Sequence, residues 1–471
     1  MMTFPADFES YMRRLLGGGN DTLFLHAMEE EPPVSLRLNP FKVSTEVVGL
    51  PDFDARVPWC SEGVYLRTRP PFTFDPLLHA GCYYVQEASS MFLHRILRQY
   101  VTSPVTMLDL CAAPGGKSTV ARAALPAGSL LFCNEPVRSR AAVLTENLMK
   151  YGHPDVVVSC NSPVDYHRSG LLFDVILADV PCSGEGMFRK DESTMTEWSV
   201  QNVTACSRRQ RDIVSETWHC LRGGGLFIYS TCTFNTMENE ENVAWIVREL
   251  GAEVLPVDVE PEWGITGSLL SGCVAPVYRF LPGKTRGEGL FVAVLRKPDE
   301  GELPTHRSAM KGKTVSRGDS ARDAIALSWL KDGEAFVVYR KGDKLVAVPR
   351  AWAETYHAAE SSLRIIHAGI TLGTQKGKDL IPAPSLALSV SLSQSAFPRV
   401  SLTYGQAMSY LRRETVTLSA DTPRGFVLLT FNGIPIGWAK HLGNRTNNLY
   451  PQEWRVKSSH IPQHYHPIIT I

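Results

Sequence analysis

The chain has 471 residues, 44% hydrophobic and 20% charged, with 48 Lys+Arg balancing 48 Asp+Glu. That length is too great for one compact core, so several domains are expected. No run nears the ~18 to 20 apolar residues of a membrane span, and the polar start "MMTFPADFESYMRR" is unlike a secretory signal, so no membrane partner is expected.

The 10 cysteines include no C-x-x-C pair, so no metal site is expected, and scattered thiols point to a reducing cytoplasm. Charge is uneven. Residues 1–297 carry 27 Lys+Arg against 34 Asp+Glu, a net of −7, and residues 298–471 carry 21 against 14, a net of +7. A basic half beside an acidic one hints at a polyanionic partner.

Residues 8–16 have a short helical pattern, and "SLRLNPFKV" alternates as a strand does. From about residue 75 to 297, strands and helices alternate. The run 105–110 precedes a glycine-rich turn, and "TVARAALP" reads as a helix. "SLLFCNE" is a second strand, and "SRAAVLTENLMKYG" a second helix closed by Gly152. "DVVVSC", "FDVILADVP" and "GGGLFIYSTCTF" supply three more strands, and "GLFVAVLRK" closes the region. This alternation predicts an α/β fold with a mainly parallel, doubly wound sheet. Residues 298–320 lack periodicity and read as a linker. Beyond it, "EAFVVYRKGDKLVAVP" predicts a hairpin, and "GFVLLTFNGIPIGWAKH" a second one turning at Asn432-Gly433. The expected boundaries are 1–74, 75–297, the linker, 321–378 and 379–471.

The stretch "LDLCAAPGGKSTVAR" looks at first like a triphosphate loop, but Cys111 stands where the first glycine of such a loop is required. Glu135 ends the second strand 20 residues after Gly115, the spacing of a ribose-binding acid. An acid there repels a triphosphate and suits an adenosine ligand without phosphates. The loop is not G-x-G-x-x-G, so S-adenosylmethionine fits better than a nicotinamide cofactor. A nucleotide hydrolase remains the competing class, and an inactive RNA-binding protein a third.

Ligands bind at the carboxyl ends of the strands in such sheets. "ADVPCSGEG" and "YSTCTF" bring Asp179, Cys182 and Cys232 to that edge. Two thiols, an acid and a methyl donor suit methylation of pyrimidine carbon 5, in which a thiolate adds to carbon 6. Lys117 or a helix N-terminus is expected to lower the thiol pKa. Chemistry alone does not rank the two thiols.

Five stretches resemble the Nop/Sun family of RNA (cytosine-5)-methyltransferases: "YYVQEASSM", "LDLCAAPGGKST", "ADVPCSGEGMFRKD", "STCTFNTMENEENV" and "GEGLFVAVLRK". "PCSGEGMFRKD" with a basic C-terminal region is most similar to the bacterial RsmF type, which modifies 16S ribosomal RNA; transfer RNA is the alternative substrate. The resemblance implies a class I S-adenosylmethionine-dependent fold; a monomer is expected. It implies Cys232 as nucleophile and Cys182 as the group that helps release product. Cys111, Ala112, Ala113, Pro114, Gly115, Gly116 and Lys117 would hold the donor's methionine end, Glu135 its ribose, and Asp179 both donor and cytosine. Many relatives have an acid after the third strand for adenine; here Asn161 stands there, with Asp165 as the other candidate. The C-terminal region resembles PUA-like RNA-binding modules, which makes Trp438, Lys440, His441 and Arg445 candidate RNA contacts. The N-terminal lead-in resembles a small RNA-binding domain, with Arg37, Asn39 and Lys42 as candidates.

Overall fold

The computed structural model describes residues 4–299, 321–458 and 460–471. The expected linker lies outside these from residue 300 onward. Helices Ala6–Leu16 and Asn20–Glu29 lead into an antiparallel sheet of β1 (Val34–Leu38), β2 (Phe53–Arg56), β3 (Gly63–Leu66) and β4 (Tyr83–Val85), ordered β2-β3-β1-β4. The central sheet takes β5 (Thr106–Asp109), β6 (Leu130–Asn134), β7 (Val156–Ser159), β8 (Phe173–Asp179), β9 (Leu221–Thr231), β10 (Glu253–Leu255), β11 (Val277–Phe280) and β12 (Leu290–Arg296). Its order is β10-β12-β9-β8-β5-β6-β7, with β11 also on β12.

The strands β5 to β9 pair in parallel, whereas β12 is antiparallel to β9. "LLFCN" and "VVVS" are buried along their whole length, as strands covered on both faces must be. One face packs Leu131 and Val158 with Val120 and Leu144; the other packs Phe132 and Val157 with Tyr166. The chain runs outward from β5 through β6 and β7, then returns to place β8 on the other side of β5. The topological switch therefore lies between β5 and β8, and the loops leaving them meet there. Gly115, with φ 114°, turns the chain into the helix Gly116–Ala124, and Gly152, with φ 84°, ends the helix Arg138–Tyr151.

Farther on come β13 (Phe336–Lys341), β14 (Lys344–Pro349), β15 (Ile365–Ala368), β16 (Ile370–Lys376) and β17 (Asp379–Pro382). Four of these form a sheet ordered β13-β14-β16-β17. The remaining strand, β15, joins the central sheet, pairing antiparallel with β7 and making it nine-stranded. A strand from beyond residue 320 thus covers an edge that β7 would otherwise expose. The last sheet, β18 (Arg399–Ser401), β19 (Gly425–Phe431), β20 (Ile434–His441) and β21 (Thr446–Asn448), contains the second hairpin. Its turn residues Asn432 and Gly433 both have positive φ, 48° and 77°. No described helix is long and apolar enough to cross a membrane.

The structure corrects several expected RNA contacts. Arg37 is buried and donates to Gln86 (3.1 Å) and Thr119 (2.6 Å). Asn39 Nδ2 donates to the carbonyls of Gly81 and Tyr151, and Lys42 Nζ to those of Ala80 and Lys150. Lys150 and Tyr151 end a helix, whose last carbonyls lack intrahelical partners. These donors therefore tie the N-terminal sheet to the catalytic domain rather than facing a ligand. Burial lowers the Lys42 pKa to about 8. Trp438 is likewise interior: it is 1% exposed, its Nε1 donates to the Ala383 carbonyl at 2.8 Å, and its ring centroid lies 4.5 Å from that of Phe397. His441 is buried too. Lys440 lies over the Phe426 ring and reaches Asp379 at 3.4 Å, and Arg445 is exposed.

A core role for Trp438 has a direct consequence. Trp438→Ala should cost roughly 3–5 kcal/mol in urea unfolding. Unchanged stability with weakened RNA binding would restore the stacking role.

Candidate active site

The loops after β5, β8 and β9 meet β4 and the start of β12 around a cavity of about 310 Å³. Cys111, Ala112, Ala113, Pro114, Gly116, Lys117, Asp179 and Cys232 line it, as does the stretch from Tyr84 to Glu87. Gly115 is the left-handed residue before the helix, which leaves the first helical N–H groups available to a carboxylate. Glu135 is buried at the end of β6, accepts from the Val137 N–H (3.0 Å) and faces Arg140 at 3.4 Å. Arg140 also donates to the Ala113 carbonyl, joining the loop to Glu135. Glu135 is not among the residues lining the cavity, and both of its oxygens are engaged within the protein.

The two candidates for the adenine contact, Asn161 and Asp165, are both engaged within the protein. Both ends of the Asn161 carboxamide engage the Arg364 backbone, at 2.9 and 3.3 Å, fastening β15 to the sheet. Asp165 is turned back onto Ser162 in a capping box.

Around the cavity, Lys117 Nζ lies 2.9 Å from Asp179 Oδ2, and Ser230 donates to Asp179 Oδ1 at 2.7 Å. Burial alone would pull the Lys117 pKa down. The Asp179 carboxylate, aided by the Cys232 sulfur, outweighs that and raises it, so the amine is an ammonium. Beneath the loop, burial pushes the Asp109 carboxyl up to about 7, although Ser118 donates to it at 2.6 Å.

The two sulfurs are 3.2 Å apart and unbridged. Cys232 lines the cavity, and Cys182 is not among the lining residues. The S–H···S contact with Cys232, then burial, holds the Cys182 thiol well above the usual cysteine value. Cys182 is therefore a thiol able to donate toward Cys232.

Two buried glutamates fix this pair. Glu185, from the loop after β8, accepts from the N–H groups of Phe234 (2.6 Å) and Asn235 (3.0 Å) and from Trp198 Nε1 (3.0 Å). Glu238, after β9, accepts in return from the Ser183 N–H (3.0 Å) and from Gln210 (2.6 Å). The Gly186 N–H donates to the Cys232 carbonyl, and a Cβ on Gly186 would lie 2.6 Å from that oxygen, so only glycine fits. Sequence reasoning missed Glu185, Ser230, Glu238 and Arg140, although the first three sit inside the motifs quoted above. Elsewhere, Cys60, Glu62 and His94 cluster within 4.8 Å of one another. Burial raises the Cys60 thiol to about 12, and Arg37 places a positive charge beside it, which disfavours a cation there.

A doubly wound sheet with a glycine turn and an acid at its switch point defines a class I S-adenosylmethionine-dependent methyltransferase. The model of the 16S rRNA methyltransferase RsmB/F family matches residues 101–296; those of the RsmF N-terminal and PUA domains match 4–88 and 397–456. The chain is 30% identical to ribosomal RNA small subunit methyltransferase F of Citrobacter koseri and 28% identical to that of Klebsiella pneumoniae, over 96% of both chains in each case. It therefore belongs to the RsmF family of 16S rRNA methyltransferases. Among solved structures, a methyltransferase homolog from Pyrococcus horikoshii is similar at TM-score 0.54 and 26% identity, covering 63% of this chain and 96% of that one. The fold is shared with NSun6 from the same organism, at TM-score 0.52 and 20% identity, covering 63% and 99%.

The brace predicts that Glu185→Gln, whose amide cannot accept on both sides, lowers turnover roughly 100-fold by misplacing Cys232. Donor affinity by calorimetry should stay within about threefold, because the loop after β5 is untouched. Equal turnover would show that the glutamate does not position the sulfur.

Proposed function

We propose that this protein methylates carbon 5 of a cytidine in 16S ribosomal RNA through a covalent adduct on Cys232. The observation that carries the reading is the unequal placement of the two sulfurs: one faces the cavity, the other stands 3.2 Å behind it.

The Cys232 thiolate adds to carbon 6 of the base, forming a C–S bond and making carbon 5 nucleophilic. The Lys117 ammonium lines the same cavity as that sulfur. Lys117 and Asp179, paired at 2.9 Å, form one wall of the cavity that receives the base. Residues 111–117 and Glu135 would hold S-adenosylmethionine, which would supply the electrophilic methyl group and leave as S-adenosylhomocysteine. Release needs loss of the carbon 5 proton and cleavage of the C–S bond, whose electron pair returns to the Cys232 sulfur. Cys182 is placed to donate its proton to that sulfur as it leaves. A 16S substrate is supported by the names of the relatives, and this reading carries with it a cytoplasmic location. Lys440 and Arg445 remain as candidate RNA contacts.

Bisulfite sequencing of ribosomal RNA from cells with and without the gene should reveal a 5-methylcytidine that depends on it. Cys232→Ala should abolish methylation, and Cys182→Ala should let a covalent protein–RNA adduct accumulate on denaturing gels. Adducts formed by Cys232→Ala and lost in Cys182→Ala would reverse the roles.

A further inference from the structure

Three carboxylates line the cavity: Glu87, Asp179 and Glu288. Glu87 is fully engaged, accepting from the N–H groups of Ser89 and Glu288 at one oxygen and Ser90 at the other. Asp179 gives one oxygen to Lys117 and the other to Ser230. Glu288 differs. It is 6% exposed, and its Oε2 pairs with Lys190 Nζ at 2.6 Å. Its Oε1 has no protein partner among the described residues.

Glu288 also stands beside the nucleophile. Thr231 is paired with Phe291 across β9 and β12, so Cys232 and the residues just before Leu290 leave the sheet side by side. Gly186 is wedged between them: a Cβ there would meet the Cys232 carbonyl oxygen at 2.6 Å and the Glu288 carbonyl oxygen at 3.4 Å. Glu87 fixes the backbone from below through the Glu288 N–H, and Arg189 donates to the Gly287 carbonyl at 2.7 Å. The carboxylate is thus built into the wall on a held backbone.

A cytosine entering this cavity brings an exocyclic amine with two N–H donors; uracil brings a carbonyl oxygen at that position. We infer that Glu288 is a specificity-determining residue whose Oε1 accepts the exocyclic amine of the target cytosine and rejects uracil. This inference rests on the carbon-5 reading above. Lys190 is its positioning residue: burial raises the Glu288 carboxyl above its ordinary value, the Lys190 ammonium opposes that rise, and the pair engages Oε2, so that Oε1 is the oxygen left to the base. Uracil would set its carbonyl lone pairs against the anion, with both left unpaired in a buried site.

The test uses the full-length protein and a 16S fragment carrying, at the bisulfite-mapped position, either cytidine or 2-pyrimidinone riboside, which lacks only the amine. Covalent adduct formation is timed on denaturing gels, and donor binding is measured by calorimetry. Glu288→Gln should slow adduct formation with cytidine roughly 10- to 100-fold, while the rate with 2-pyrimidinone stays within about twofold. The 2-pyrimidinone reaction also reports that the fold is intact. Should the glutamine variant lose donor binding, Glu288→Asp carries the same comparison. Equal losses on both RNAs, or no loss on either, would overturn the assignment. If the wild-type protein forms no adduct with either RNA, the carbon-5 reading itself falls, and this inference with it.

Discussion

The site depends on a reciprocal exchange of buried carboxylates between two loops. Glu185 belongs to the loop after β8 and takes N–H groups from the loop after β9; Glu238 belongs to the second loop and takes an N–H from the first. Among the described residues neither has a salt-bridge cation, so hydrogen-bond donors offset the cost of burying the two carboxyl groups. Burial pushes Glu238 up in pKa while the bonds from Ser183 and Asn235 oppose it. Such a network tolerates little slack, because removing one partner leaves a charge unsolvated. That is why the two sulfurs, from different crossovers of the sheet, can be held 3.2 Å apart without a covalent link.

A second constraint closes the cavity from the other side. β4 and the residues after it form one wall, so the N-terminal sheet is part of the site. Arg37 connects that sheet through Gln86 to Thr119 in the helix following the donor loop. Asn39 and Lys42 fasten it to the end of the next helix. Donor loop and cavity wall are therefore fixed to each other by interior hydrogen bonds. The lead-in keeps its polar residues inside because helix ends leave carbonyls that need donors.

The parts that were legible in the sequence are those with local causes. The strands read as apolar runs because parallel strands are covered on both faces, and Gly115, Gly152 and the Asn432–Gly433 turn read correctly because their φ values demand those residues. The motifs brought Asp179, Cys182 and Cys232 to one edge. What remained hidden depends on contacts distant in sequence. A basic or amide side chain can serve an RNA phosphate or a helix carbonyl equally well, and nothing in "SLRLNPFK" distinguishes the two. Trp438 could have stacked on a base, but the Ala383 carbonyl satisfies its indole inside the domain. Asn161 has the right place for an adenine contact, yet the backbone of Arg364, some 200 residues later and just before β15, engages both ends of its amide. Which cysteine faces the cavity is likewise set by how two loops pack.

Charge separates affinity from chemistry. The cavity concentrates acids, Glu87, Asp179 and Glu288, with Lys117 and Lys190 as the cations paired to two of them. Residues 1–297 carry a net −7, from 27 Lys+Arg and 34 Asp+Glu, which does not favour a polyanion. Residues 298–471 carry +7, from 21 and 14, and include the PUA domain. On the proposed reading, the attraction for ribosomal RNA resides mainly in the C-terminal half, where counterion release is favourable. The proposed reading has the acidic catalytic half take in a nucleobase, which is neutral, rather than the charged backbone. On that reading, a cavity of about 310 Å³ lined by three acids and two cations suits a neutral base turned out of its strand better than a phosphate.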